Sequence, residues 1–319
     1  MFLDFYSHFV HTVCLSTLVA VFAVVSAFTS YAITTRTPSA LKAYRFLFLH
    51  LNGSYQVFVF LTAVFGPFDV TMHEDGVVSF KFYGIISVLG HNWPFFEGFF
   101  GVVSICNVIG CVWLSFFHRY YQVCHPTWLY SRSSLLQGAV SVVVLMIIPV
   151  LVAASLVILF WFCLVDVPGA EAALAFSVQR HVYTLFGALL VFLLVIVISS
   201  AFFNLRVIWI LETSLSQASE RTKEMQRMLT ITLVVQSAIP LVFGILPSAL
   251  AVYAIFLDIS ATTVLARTFF LSLTLEGIFN SITTVLLVKP YKQLLKKLLS
   301  APFRRKKVVV IVTVVSVMP

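Results

Sequence analysis

Charge is what this chain has least of. Asp, Glu, Lys and Arg make up 10% of its 319 residues, against about 25% in an ordinary soluble domain. A soluble fold of this size needs a polar skin, and 20 basic plus 12 acidic side chains cannot supply one. Cysteine is scarce as well: there are five, Cys14, Cys106, Cys111, Cys124 and Cys163, with no paired spacing. That excludes a disulfide-stapled secreted domain. Cys14 and Cys163 fall near outer membrane edges and could meet there; buried free thiols are the alternative. Catalytic signatures are missing too. The chain has no His-Glu-x-x-His, no Gly-x-Ser-x-Gly, no phosphate-cradling Gly-Lys-Ser/Thr loop and no paired acids within one apolar run. The eight His residues are scattered. Only His8 and His11 share a helical face, and Asp4 is the one acid near them, so no metal site or cofactor is expected. The reading is not an enzyme.

Apolar residues take up the rest, with 61% hydrophobic residues and 32 Phe. A helix needs about 20 apolar residues to cross the hydrocarbon. Seven runs meet that length, at about 11–33, 44–66, 95–117, 135–163, 182–211, 228–257 and 265–288. The expected fold is an all-α membrane protein, a seven-transmembrane helix bundle over residues 1–303, followed by a tail at 304–319. Met1 to Val10 carries no Lys or Arg, so the first run lacks the basic n-region of a cleaved signal and reads as a span. Asn52-Gly53-Ser54 matches a glycosylation pattern but lies inside the second run, where glycosylation cannot occur.

Orientation follows from the basic residues. Seventeen of the 20 Lys and Arg fall on one side of a seven-span chain, and only Lys81, Arg180 and Arg267 on the other. The N-terminus is therefore expected outside and the tail inside. Eight of the seventeen lie between Lys289 and Lys307, where there is no acid. In a membrane protein such a tail points to the anionic inner leaflet rather than to nucleic acid. Tyr291, Leu294, Leu295, Leu298 and Leu299 form one apolar stripe, with Lys292, Lys296 and Lys297 off it. The spacing predicts a short amphipathic helix flat on the bilayer, after span seven. Phe68–Pro94 is an outer connection whose apolar patch, Tyr83–Leu89, is too short to cross and is expected at the interface or as a cap on the bundle. Val308–Met318 is also too short to span.

Several polar groups are set apart by position. Arg119 ends span three beside Phe116, Phe117, Tyr120 and Tyr121. It can project into a cleft between helices, or snorkel as an interfacial anchor. Glu220–Lys223 and Glu224–Arg227 are opposite charges one turn apart and continue span six into the cytoplasm. Pro240 and Pro247 then permit a bend in that span, as a moving lever or a permanent kink. His50, Asn52, Asn107, Gln236, Glu276 and Asn280 lie at membrane depth. Glu276 is about halfway along span seven, where an ionised carboxylate costs about 2.5 to 3.5 kcal/mol or more. It must face the bundle, as a ligand contact or as an interhelical tie to span three.

Taken together these stretches resemble the nematode serpentine chemoreceptors, most closely class H of the group that includes classes D, I and J. Thr35-Arg36-Thr37-Pro38-Ser39-Ala40-Leu41-Lys42 is similar to that family's first inner loop. His118-Arg119-Tyr120-Tyr121 resembles its Arg-Tyr-Tyr, and Val288-Lys289-Pro290-Tyr291-Lys292 its Lys-Pro-Tyr-Arg/Lys. Thr222, Gln226, Gln236 and Pro240 fall at the spacing of its sixth span. The likeness runs along essentially the whole chain. Two departures stand out: His118 precedes Arg119 where an acid would make a lock, and Glu276 stands where class H chains often have His.

The resemblance implies a G-protein-coupled-type receptor at the plasma membrane of sensory neuron cilia. Its partners would be a small environmental or pheromone-like molecule and a heterotrimeric G protein. The candidate coupling residues are then Arg119, Tyr120, Thr222, Lys223, Arg227 and Tyr291 around one cytoplasmic opening, with Pro240 and Pro247 as the hinge. The candidate ligand residues are Glu276, Asn280 and Asn107, in an apolar pocket expected between spans three, five, six and seven. A ligand-gated channel subunit or a transporter is the alternative. The orientation argues against the inverted seven-span channels, and the chain lacks the internal repeat of transporters.

Overall fold

The computed structural model describes residues 8–37, 42–65, 68–72, 77–82, 85–89, 93–124, 139–162, 173–177, 180–214, 220–247, 249–250, 253 and 262–300. In hydrocarbon every backbone N–H and C=O must be satisfied within the protein, so the apolar runs become helices. Span one is His8–Arg36 and span two Lys42–Phe60, continued by a π-helical turn at Leu61–Phe65. Span three is Trp93–Cys124, opened by Pro94 in its first turn, where a missing N–H costs nothing. Span four begins at residue 139, passes through a π-helical turn at Val143–Ile147 and continues as Ile148–Phe162. Span five is Arg180–Ser214, span six Glu220–Pro240 with a π-helical turn at Leu241–Ile245, and span seven Thr262–Leu287. Six of these helices contain stretches long and apolar enough to cross a membrane, and span five carries the shorter apolar stretch Leu194–Ile210. Span three has 32 residues, about 48 Å of helix, so it outreaches a hydrocarbon layer of about 30 Å.

The all-helical expectation needs one addition. Strands β1 (Phe68–Met72), β2 (Val77–Phe82) and β3 (Ala173–Ser177) form an antiparallel sheet in the order β1-β2-β3. The hairpin follows span two, and β3 comes from the connection between spans four and five. Neither connection shows a helical period or a run long enough to span, and short alternating segments such as Val77–Phe82 can satisfy their backbones by pairing. The sheet marks one end of the bundle, and Lys289–Ser300 marks the other. From the patch after β2, Ile85, Val88 and Leu89 are exposed.

Spans one, two, three and seven hold the core. Phe22, Ile33, Tyr44, Phe48, Leu51, Tyr55, Val108, Leu114, Ile278 and Val288 belong to one buried cluster. Asn52 ties three of these helices. Its Oδ1 accepts from Ser26 and Ser281, each at 3.1 Å, and its Nδ2 donates to the Ser26 carbonyl and the Ser30 hydroxyl. All four hydrogen-bonding positions of the amide are used, which accounts for an Asn within an apolar span. Glycine permits close approach at Gly277, where a Cβ would stand 2.8 Å from the Phe22 ring.

After a bend at Val288 comes the helix Lys289–Ser300. Its stripe is divided in use. Tyr291 and Leu294 are buried, while Leu298 and Leu299 are exposed beside the exposed Lys292, Lys296 and Lys297. The Tyr291 hydroxyl shares a 2.7 Å hydrogen bond with Thr37, which fastens this helix to the end of span one. Burial pushes that hydroxyl above its usual range, although the bond to Thr37 and the nearby Arg45 charge pull the other way. Cys163, and with it any pairing with Cys14, lies outside the described residues, as does Val308–Met318.

Candidate functional site

Span six controls the geometry at mid-depth. Pro240 has no N–H and its ring crowds the carbonyl one turn back, and the helix widens into the π-helical turn at Leu241–Ile245 immediately after it. Pro247 removes the α-helical partner of the Phe243 carbonyl. The Ser272 hydroxyl of span seven reaches that carbonyl at 2.7 Å, and its one proton is shared with the Phe269 carbonyl of its own helix, also at 2.7 Å. On the other side of Pro240, Gln236 Nε2 donates to Thr284 Oγ1 of span seven at 2.9 Å. The π-helical turn is thus tied to span seven on both sides.

Between these pins lies Glu276. Its Oε1 accepts a 2.6 Å hydrogen bond from the Tyr55 hydroxyl of span two. The carboxyl also lies against Gly244, where a Cβ would stand 2.9 Å from Glu276 Oε2. Glycine at 244 is what lets span six come so near. Glu276 borders a cavity of about 210 Å³, walled by Tyr55 and Phe58 of span two, Val108 and Ile109 of span three, Pro240 and Gly244 of span six and Phe269 of span seven. A second cavity, also about 210 Å³, lies between spans three, five and six, lined by Trp113, Phe116, Ser200, Asn204 and Ser237. Ile109, Pro240 and Ile245 wall both.

The sequence expectation of one pocket between spans three, five, six and seven therefore meets two adjoining cavities, and span two takes part in the one with Glu276. The reason is Tyr55, a long polar-tipped side chain that reaches the carboxylate before any residue of span three does. Asn107 does not line this cavity. Its Oδ1 lies 3.3 Å from His50 Nε2 of span two. Asn280 is buried one turn from Glu276 but does not line the cavity either.

At the Lys-rich end, Arg119 is 2% exposed. Its guanidinium lies beside the Tyr44 hydroxyl, which donates to Gln122 Oε1 at 3.1 Å. His118 packs edge-on against the Tyr44 ring. A tyrosine of span two therefore holds the arginine that has no acid beside it in sequence. Tyr120 packs against Phe202 and Phe203 of span five. Arg227 is exposed. Thr222 and Lys223 ride on the first turn of span six, and their side chains, like those of Glu220 and Glu224, lie outside the described residues. Tyr291 faces the span-one seam rather than Arg119. Tyr44, Tyr55 and Gly244 are the site residues that pattern reading passes over. Their only signal is helical spacing, since Tyr55 shares a face with Asn52 and Gly244 falls between the two prolines.

Among the described residues no group of three or more His, Cys, Asp or Glu could hold a metal ion. Among known families, the model for the serpentine type 7TM GPCR chemoreceptor Srh matches residues 4–301. No curated protein matches.

Proposed function

Since the chain belongs to the Srh class of serpentine seven-transmembrane chemoreceptors, we propose that it binds a small organic molecule from outside the cell and signals to a heterotrimeric G protein inside. One observation carries this reading. The cavity beside Glu276 is walled by Pro240 and Gly244, so anything bound there touches the bend of span six. A ligand that fits one arrangement of that bend better than another shifts the population between them, by as much as its affinities differ. The far part of the same helix starts at Glu220, on the side of Arg119 and the basic helix.

In this reading Glu276 is the polar anchor of the cavity, an acceptor when ionised and a donor when protonated. Arg119 is released from Tyr44 as span six swings away and becomes available to the G protein. Seventeen of 20 Lys and Arg on that side support its being cytoplasmic. The plasma membrane of sensory cilia is the expected location. The test is a second-messenger screen of small organic compounds on the full chain in cells. Arg119→Ala is expected to abolish signalling with surface expression intact, and Glu276→Gln to weaken the potency of a cationic agonist by tenfold or more, about 1.4 kcal/mol. Agonist-driven signalling retained by Arg119→Ala would refute the coupling assignment. Unchanged potency in both Glu276→Gln and Glu276→Ala would remove Glu276 from the ligand site.

A further inference from the structure

Glu97 sits four residues into span three, toward the sheet end, and is 4% exposed. Among the described residues neither of its carboxyl oxygens has a hydrogen-bond partner. Glu276, the other acid among the described residues that is buried to this degree, is bound by Tyr55. Proximity to a helix start favours an acid at this position, but that field supplies no donor. A carboxylate removed from water calls for a proton or a cation.

The face on which Glu97 lies runs on to Gly101, Ile105 and Val108 at i+4, i+8 and i+11. Ile105 and Val108 line the cavity beside Glu276. Gly101 between them is buried, yet a Cβ built there would meet no atom within 4 Å. There is thus room for an added carbon beside Gly101, on the helix face between Glu97 and the cavity-lining Ile105. Along the helix Glu97 stands about 12 Å from Ile105. A charged head at Glu97 and an apolar body in the cavity would fit one elongated molecule.

We propose that Glu97 is the outer subsite of the ligand cavity and takes the ammonium group of a small aliphatic amine whose chain passes Gly101 toward Glu276. This rests on the reading of that cavity as the ligand site, and names the ligand class.

The experiment uses the purified full-length chain in detergent. Thermal unfolding is followed while straight-chain primary amines from propyl to decyl, and the alcohols of matching length, are titrated in. Ligands that bind the folded state raise Tm in a concentration-dependent way. The expected result is at least tenfold tighter binding of the best amine than of its alcohol. Glu97→Gln should erase that advantage while leaving the alcohol's affinity unchanged, and Glu97→Asp should keep part of it. Equal affinity of the pair, no binding of any amine, or an advantage that survives Glu97→Gln would overturn the proposal. Ile105→Trp, which fills the cavity beside Glu276 and not the second one, separates the two readings. If it removes both probes while Glu97→Gln changes nothing, the cavity stands and the amine subsite falls. If both probes bind Ile105→Trp as before, the cavity reading itself falls.

Discussion

Tyr55 and Glu276 form a pair in which each member is costly without the other. The hydroxyl and the carboxylate are both buried and lie 2.6 Å apart. Removing the donor leaves an acceptor unsatisfied away from water, which costs about 1 to 3 kcal/mol. Tyr55→Phe should therefore lower Tm of the purified receptor more than Glu276→Gln, whose amide oxygen still accepts from Tyr55. A larger loss in Glu276→Gln would show that charge rather than the hydrogen bond holds the pair. Tyr44 acts on Arg119 in a comparable way. Tyr44→Phe removes the hydroxyl that lies beside the guanidinium and donates to Gln122. If Tyr44 restrains Arg119 in the resting state, the variant should raise ligand-independent second-messenger output at equal surface expression. Unchanged basal output would mean the contact only packs the helix end.

Span six shows what two prolines do once their neighbours are known. Pro247 leaves the Phe243 carbonyl without its helical donor, and Ser272 supplies one from span seven. Pro240 leads into the π-helical turn, and Gln236 is held by Thr284. Ser272→Ala removes the replacement donor and should destabilise the folded chain by about 1 to 3 kcal/mol, read as a lower Tm. Pro240→Ala should straighten the bend and reduce agonist-driven signalling while leaving ligand affinity within a few fold. Full signalling in Pro240→Ala would assign the proline a static kink. Gly244→Ala tests the close approach of spans six and seven. The added methyl must displace the Glu276 carboxyl, 2.9 Å away, and so disturb its bond to Tyr55.

For the whole molecule, orientation and anchoring are the testable properties. An N-terminal tag should be labelled on intact cells and a C-terminal tag only after permeabilisation, because 17 of 20 basic side chains belong to one side. The helix Lys289–Ser300 turns Tyr291 and Leu294 inward and leaves Leu298, Leu299 and four lysines exposed, Lys292, Lys296 and Lys297 among them. Replacing Lys292, Lys296 and Lys297 together by Glu should cost on the order of 1 kcal/mol per residue of attraction to an anionic leaflet. A synthetic 289–307 peptide should accordingly lose most of its binding to phosphatidylserine vesicles. Salt-independent binding of both peptides would indicate that the apolar stripe alone anchors the segment.

Properties that depend on composition and period are legible in the amino-acid sequence by itself. Seven apolar runs, a one-sided distribution of Lys and Arg and a stripe of period 3.6 after span seven are sums over many residues, and no single packing choice can reverse them. The same holds for family membership, which rests on short motifs in order along the chain. The depth of Glu276 can also be counted along its helix. Its partner cannot. Which helix face meets which neighbour depends on rotation and tilt, and those are set by small residues such as Gly244 and Gly277 and by the sheet that joins two distant connections. Tertiary structure alone decided that Glu276 meets Tyr55 rather than span three, that Arg119 rests on Tyr44, and that Glu97 is buried with no donor. Each is a contact between residues at least 75 positions apart or the lack of one, and spacing along the chain carries no information about such contacts until the helices are packed.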